Sequence, residues 1–328
     1  MESIRFWINN ARKTALPQSM FPAVLSVCMA SQSDAFSLPA AVSAIVGVAL
    51  AHLGMNLFDD YFDYLKKGTG IRTELAHAGI RARLAKCDYL LSGRATVRDL
   101  LRAACGFCLA AFCIGVAIAF LRGPEVFWFV LIAGFLGISY SGIPFRFSYH
   151  GLGEVLVGVM FGPLLMSGVY YASCGSLPPM IWLVSVPVGM LVANILYTHS
   201  IMDYEPDKRI GKMTLAVLLD DKRAMLAASA LFLFVPFALI AAGVTAGLLG
   251  MRYLLVLATL PMAAGLFRLL AEYTRDPNKA VRPRLWMGPM ENWARIREAG
   301  IDWFMIRWML SRNLLSFFCL IILIVTFI

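Results

Sequence analysis

The sequence predicts an all-α integral membrane protein, with nine transmembrane helices in one bundle and the N-terminus in the cytoplasm. Three observations predict it. Of the 328 residues, 60% are hydrophobic and only 15% charged, and the mean hydropathy is +0.73, a profile outside the range of soluble domains. Apolar windows of about 20 residues, the length that crosses a bilayer, recur along the chain. Lys and Arg fall in short segments between those windows, the asymmetry that sets topology. That placement also sets aside nucleic-acid binding as the meaning of the +9 net charge.

The windows are read at about 17–33, 38–58, 101–121, 125–143, 152–174, 178–202, 224–246, 251–271 and 311–328. Alternating sides from a cytoplasmic N-terminus puts 27 of the 29 Lys and Arg on the cytoplasmic face, leaving only Arg122 and Arg252 outside. The helix entering the first acidic cluster is expected to run past Asp63. No linker separates domains, so residues 1–328 read as one domain with cytoplasmic loops at about 64–100 and 272–310. The second loop contains WMGPMENWARIREAGIDWFMIRWML, either an interfacial amphipathic helix leading into the last span or a helix capping the bundle.

Other features are quieter. MESIRFWINNARK has no h-region and no small-residue cleavage site, so no cleaved signal peptide is expected. The Cys105–Cys108 pair has CxxC spacing but lies in an apolar helix, where two small packing residues are the better reading. Asp60-Tyr61 and Asp203-Tyr204 each precede a basic, Gly-containing stretch, four helices apart, which is compatible with two related halves.

The acidic residues carry the chemistry. Asp59, Asp60 and Asp63 end one apolar segment, and Asp203 and Asp207 end another. Five aspartates facing lipid would cost roughly 12 kcal/mol, so they are expected in a wet cavity or at a membrane face. Asn56, Asp60 and Asp63 are spaced by four and three residues and share a helical face. Asp203 and Asp207 have the i, i+4 spacing, but Pro206 disfavours a helical Glu205, which predicts a break at Asp207. Lys66 and Lys67 follow the first cluster, and Lys208, Arg209 and Lys212 the second. Each Lys alone reads as a solvated helix end. Together, hard carboxylates and ammonium groups suit Mg²⁺ shared by the two clusters and a diphosphate.

These segments resemble a known family. NLFDDYFDYLKKG and HSIMDYEPDKRIGKMTLAV look like the two aspartate-rich motifs of the UbiA superfamily of intramembrane prenyltransferases, closest to 1,4-dihydroxy-2-naphthoate polyprenyltransferases. YSGIPFRFSYHGLGEVLVGVMFGPLLMSGVYY and LLSGRATV resemble its central segment and loop. The resemblance implies a metal-diphosphate site of Asn56, Asp60, Asp63, Asp203 and Asp207, with the four aspartates as catalytic residues. It places Arg94, Lys208 and Lys212 by the diphosphate, and Tyr140, Arg146 and Glu154 nearer the aromatic acceptor. Asp59 stands where the family usually has Asn, and His199 and Ser200 stand where this subgroup tends to have an Asn pair. Both places read as substrate-binding. Lys67 is an extra residue, and Tyr89-Leu90-Leu91 replaces the usual Arg-Pro of the loop.

The resemblance implies Mg²⁺-dependent transfer of a polyprenyl group from its diphosphate to a dihydroxynaphthoate on the route to menaquinone. Another phenolic or quinone precursor is the second acceptor class. The setting would be the cytoplasmic membrane of a prokaryote, active site inward. A transporter would instead place its charges near the bilayer midplane on broken helices.

Overall fold

The structure is a computed structural model that describes residues 3–65 and 87–328. Lys66 and Lys67 lie outside the described residues. Among them the chain is helical, with no β-sheet. The elements are α1 (Ile4–Asn10), α2 (Pro17–Ala30), α3 (Leu38–Leu65), α4 (Asp88–Leu91), α5 (Val97–Arg122), α6 (Glu125–Ser141) and α7 (Gly153–Cys174). They continue with α8 (Met180–Met202), α9 (Tyr204–Arg209), α10 (Leu215–Leu219), α11 (Lys222–Thr245), α12 (Met251–Arg275), α13 (Trp293–Glu298) and α14 (Asp302–Phe327).

Seven of the described helices, α3, α5, α7, α8, α11, α12 and α14, are long and apolar enough to cross a bilayer. The windows at 17–33 and 125–143 form α2 and α6, of 14 and 17 residues. At 1.5 Å per residue, these are about 21 and 26 Å long. Large apolar side chains such as Leu109, Phe112, Phe120 and Trp128 stand exposed on α5 and α6, as expected of helices that face hydrocarbon. The chain is an integral membrane protein. The expected run of α3 past Asp63 is observed, and α14 begins at Asp302, nine residues before the window assigned to it.

The chain packs as two compact units: Met1–Ser148 with Leu164–Pro178, and Tyr149–Pro163 with Pro179–Ile328. In the first, Phe6 and Trp7 of α1 and Tyr89 and Leu90 of α4 join Leu53, Leu57, Leu100 and Ala104 in one apolar cluster. That cluster binds the N-terminal segment to the end of α3. In the second, α7 and α8 approach through glycine. A Cβ on Gly162 would lie 2.4 Å from Gly189 Cα, so only the small-residue face allows this contact. α7 winds as a π-helix over Met160–Leu164, around Pro163, which removes one backbone donor from the ladder. All seven cysteines are free; Cys105 is exposed and Cys108 half-buried.

Candidate active site

The first unit gathers its charge on the last two turns of α3. Asp60 and Asp63 are buried there, Asp60 only 3% exposed. A buried carboxylate needs hydrogen bonds or a counter-charge, and both arrive from distant parts of the chain. Arg12 donates through one guanidinium nitrogen to Asp59 (2.8 Å), Asp60 (2.9 Å) and the Asn56 carbonyl (2.8 Å). Arg12 has left-handed backbone (φ 56°), which turns the chain after α1. The Tyr89 hydroxyl donates to the other Asp60 oxygen at 3.2 Å, and Ser141 donates to Asp59 at 2.5 Å. The Asn56 amide nitrogen donates to the Ala11 carbonyl at 2.9 Å.

The electrostatics follow from that wiring. Burial favours loss of the Arg12 proton, but Asp60 and then Asp59 outweigh it and hold the group above its ordinary range. Burial, then the Asp60 charge, push the Tyr89 phenol well above its usual range, so it remains a donor. Arg94 is exposed and stacks over the Phe6 ring at 5.2 Å. Tyr140 lies in the last turn of α6 and Arg146 follows the helix with φ 48°, both half-buried.

The second unit builds its cluster at the end of α8. Asp203 is fully buried and Asp207 is 3% exposed. The helix breaks at Asp203, four residues before the expected position, and α9 restarts at Tyr204. Glu205 is helical despite Pro206. The reason is that Pro206 falls in the first turn of α9, where the missing N–H has no intrahelical partner to lose. The Asp207 N–H still donates to the Asp203 carbonyl at 2.8 Å, so the i, i+4 relation survives the break.

His199 Nε2 lies 2.9 Å from Asp203 Oδ2. Ser200 points elsewhere and donates to Glu154 at 2.5 Å. Glu154, itself buried, also accepts the Leu215 N–H at the start of α10, at 3.2 Å. Lys208 donates to Asp220 (2.5 Å) and to the Tyr204 hydroxyl (3.0 Å), and that hydroxyl donates to Asp220. Lys212 lies over the Tyr149 ring at 5.7 Å. The end of α8 is tied down by Tyr273, whose hydroxyl donates to the Met202 carbonyl at 3.0 Å. Arg307, fully buried on α14, sits over the Tyr273 ring at 4.8 Å, and Phe304 packs edge-on against His199 at 5.2 Å.

Sequence reasoning missed Arg12, Tyr89, Ser141, Tyr273 and Arg307. In the sequence Arg12 counts only among the basic residues of the cytoplasmic face, and no local pattern pairs it with α3. Among the described residues, no three His, Cys, Asp or Glu side chains form one metal-binding group. The donor set still fits Mg²⁺, which takes one or two protein carboxylates, water and substrate phosphate rather than a full protein cage. Arg12 and Tyr89 reach different oxygens of Asp60, and a bound cation would share that carboxylate with them.

Residues 19–288 match the UbiA prenyltransferase family. The chain belongs to that family, and it is a prenyltransferase. A 2-carboxy-1,4-naphthoquinone phytyltransferase of Synechocystis is 32% identical over 231 residues, covering 69% of each chain. A 1,4-dihydroxy-2-naphthoate octaprenyltransferase of Mycobacterium tuberculosis is 29% identical over 232 residues, covering 68% of this chain and 73% of the relative. A solved UbiA homologue from Archaeoglobus fulgidus, bound to GPP and Mg²⁺, superposes with a TM-score of 0.58 over 94% of this chain and 99% of its own. At 16% identity, that likeness speaks for the fold alone.

Proposed function

We propose that this membrane prenyltransferase transfers a polyprenyl group from its diphosphate to 1,4-dihydroxy-2-naphthoate, the ring-alkylation step on the route to menaquinone. The observation that carries the reading is the burial of Asp60 and Asp63 in the last turns of α3 and of Asp203 and Asp207 at and just beyond the end of α8. Buried carboxylates of this kind have little structural value and a clear use as hard ligands. The acceptor rests on the relatives named as naphthoate and naphthoquinone prenyltransferases.

In this reading Asn56, Asp60 and Asp63 of the first unit and Asp203 and Asp207 of the second would supply the oxygens that hold Mg²⁺, which when bound would neutralise charge on the leaving diphosphate. Arg94, Lys208 and Lys212 complement diphosphate oxygens, with Lys208 drawn from its pair with Asp220. Departure of diphosphate leaves an allylic cation, which the electron-rich acceptor ring attacks before losing its proton. Asp59, Tyr140, Arg146, Glu154, His199 and Ser200 orient the substrates, and positioning with charge complementarity accounts for most of the rate. Residues 1–328 act as one domain, with α2 and α6 counted among nine spans, the N-terminus and site facing the cytoplasm of a prokaryote, and cytoplasmic loops at about 64–100 and 272–310. The 27 basic residues assigned to that face support this orientation.

The test is purified protein given labelled polyprenyl diphosphate, Mg²⁺ and a panel of aromatic acceptors. Prenylated dihydroxynaphthoate is expected as the main product, with none formed in excess chelator and recovery on adding Mg²⁺. Turnover in chelator would remove the metal assignment, and a preferred phenolic acid would replace the acceptor.

A further inference from the structure

The segment between α12 and α14 folds back onto both helices within the second unit. Trp286 rests on Gly265 of α12, where an added Cβ would lie 2.2 Å from the indole ring. Asn313 of α14 donates to the carbonyls of Met287 and Pro289, both at 2.9 Å. These bonds satisfy irregular backbone that lies against membrane-spanning helices, where unpaired carbonyls are costly.

Beneath this segment lies an apolar groove of about 240 Å³. It is lined by Leu285 and Trp286 of this segment and by pairs one turn apart on the two helices, Ala258 and Met262 on α12 and Phe317 and Ile321 on α14, with Thr259 the one hydroxyl. One turn is about 5–6 Å, so the groove runs along the two spans. The segment itself is basic. Residues 279–289, KAVRPRLWMGP, contain three cations and no acid. Lys279 is paired with Glu272 (3.2 Å), whereas Arg282 and Arg284 stand exposed beside Leu285, which is itself fully exposed. Arginines next to an exposed Leu and a Trp are the composition of a membrane interface.

We propose that this groove binds one acyl chain of a membrane phospholipid whose anionic headgroup is held by Arg282 and Arg284. The exposed arginines that precede Leu285 select the headgroup, and the direction of the groove along the spans suits a chain entering the hydrocarbon. None of these residues belongs to the carboxylate clusters, so the inference stands apart from the acceptor assignment.

The experiment is native mass spectrometry of the full chain released from vesicles of phosphatidylglycerol and phosphatidylcholine in equal parts. Wild-type protein is expected to retain phosphatidylglycerol preferentially. R282Q/R284Q is expected to weaken that retention about 30-fold, at about fivefold per basic group near an anionic surface. A258W, which fills the groove, is expected to lose both lipids while keeping its melting temperature. Equal retention of the two lipids by wild-type protein would overturn the proposal, as would unchanged phosphatidylglycerol retention in R282Q/R284Q. Displacement of the bound lipid by polyprenyl diphosphate would also overturn it, giving the groove to the donor's tail. The charge variant alters only exposed side chains, so it decides the matter even where A258W does not fold.

Discussion

In the first carboxylate cluster Asp60 is held from outside its helix, by Arg12 from the N-terminal segment and Tyr89 from α4. In the second, Asp203 is met by His199, one turn back on the same helix. The first arrangement is tertiary and depends on the Phe6–Trp7–Tyr89 aromatic cluster, whose rings meet edge-on at 5.1–6.0 Å. In the second, the His199 contact lies within one helix turn and the i, i+4 spacing survives a break in the helix, while Tyr273 and Phe304 brace that helix end from α12 and α14. Disturbing the N-terminal segment therefore strips a charge from Asp60 directly, whereas disturbing α12 or α14 reaches Asp203 through its helix end.

The largest expected effect comes from removing a carboxylate from either side. Asp60→Ala and Asp207→Ala should each lower kcat by roughly 100-fold or more, the scale of lost preorganised electrostatic groups. Membrane insertion and the elution profile in detergent should be unchanged. A variant of one cluster that keeps near-normal turnover while the other is dead would assign the metal-diphosphate to a single cluster.

Next is Arg12→Gln, which breaks only the tertiary wiring. It strips the charged partner from two carboxylates, one of them almost fully buried. Loss of a buried partner costs about 3–5 kcal/mol. With the Arg12 side chain 38% exposed, about 2 kcal/mol is expected after allowing for solvent screening. Thermal unfolding in detergent should show this loss, and added Mg²⁺ should recover part of it by supplying the missing positive charge. A stability loss that Mg²⁺ leaves untouched would make Arg12 a structural strut alone. His199→Ala, the matching cut in the second cluster, should cost about 1 kcal/mol, as for one ordinary hydrogen bond.

Ser200→Ala separates the acceptor reading from scaffolding. Its hydroxyl is already committed to Glu154, which also holds the start of α10. The variant should lose about 1–2 kcal/mol of stability through the weakened buried acceptor. If Ser200 also meets the acceptor, the KM for the naphthoate should rise while that for the prenyl diphosphate stays fixed. Unchanged KM values for both substrates would leave Ser200 as part of the Glu154 bond.

The same contrast explains what was legible in the sequence. Helix existence and the two acidic clusters followed from apolar length and i, i+3 and i, i+4 spacing, because these are local properties of one helix. The break comes at Asp203 rather than Asp207 because Pro206 sits in the first turn of a new helix, a place that sequence spacing does not distinguish from a helix interior. Arg12, Tyr89, Tyr273 and Arg307 were not legible at all. Each acts on a residue tens of positions away, and a lone Arg near a membrane helix reads first as a topology signal. The stretch from Trp286 is expected in the sequence to be helical, as an interfacial amphipathic helix or as a cap on the bundle. Residues 285–287 instead form a single 3₁₀ turn, docked through Gly265 and Asn313, and the only longer helix between α12 and α14 among the described residues is the short α13.

The smallest effect is expected at the exposed pair beside the second cluster. Asp220 accepts from Lys208 and Tyr204, and the Lys208 bond, with that of Tyr204, holds its carboxyl below the ordinary carboxylate range. Lys208 is raised by the same Asp220 bond, and Tyr204 is raised chiefly by Asp220 as well. A depressed carboxylate contributes stability above its unfolded pKa and loses it as the pH falls through the folded value. Raised Lys and Tyr groups contribute below their unfolded values and lose it as the pH climbs through the raised ones. All three therefore keep their charge states between about pH 5 and 8, and this corner should add no pH dependence in that window. Asp220→Asn should leave the melting temperature unaltered across it, because exposed pairs are screened by water and salt. The informative readout is kinetic. Freed from Asp220, Lys208 should bind diphosphate more readily, lowering the KM for the donor without changing that for the acceptor. A donor KM that does not move would leave Lys208 as a solvated helix end.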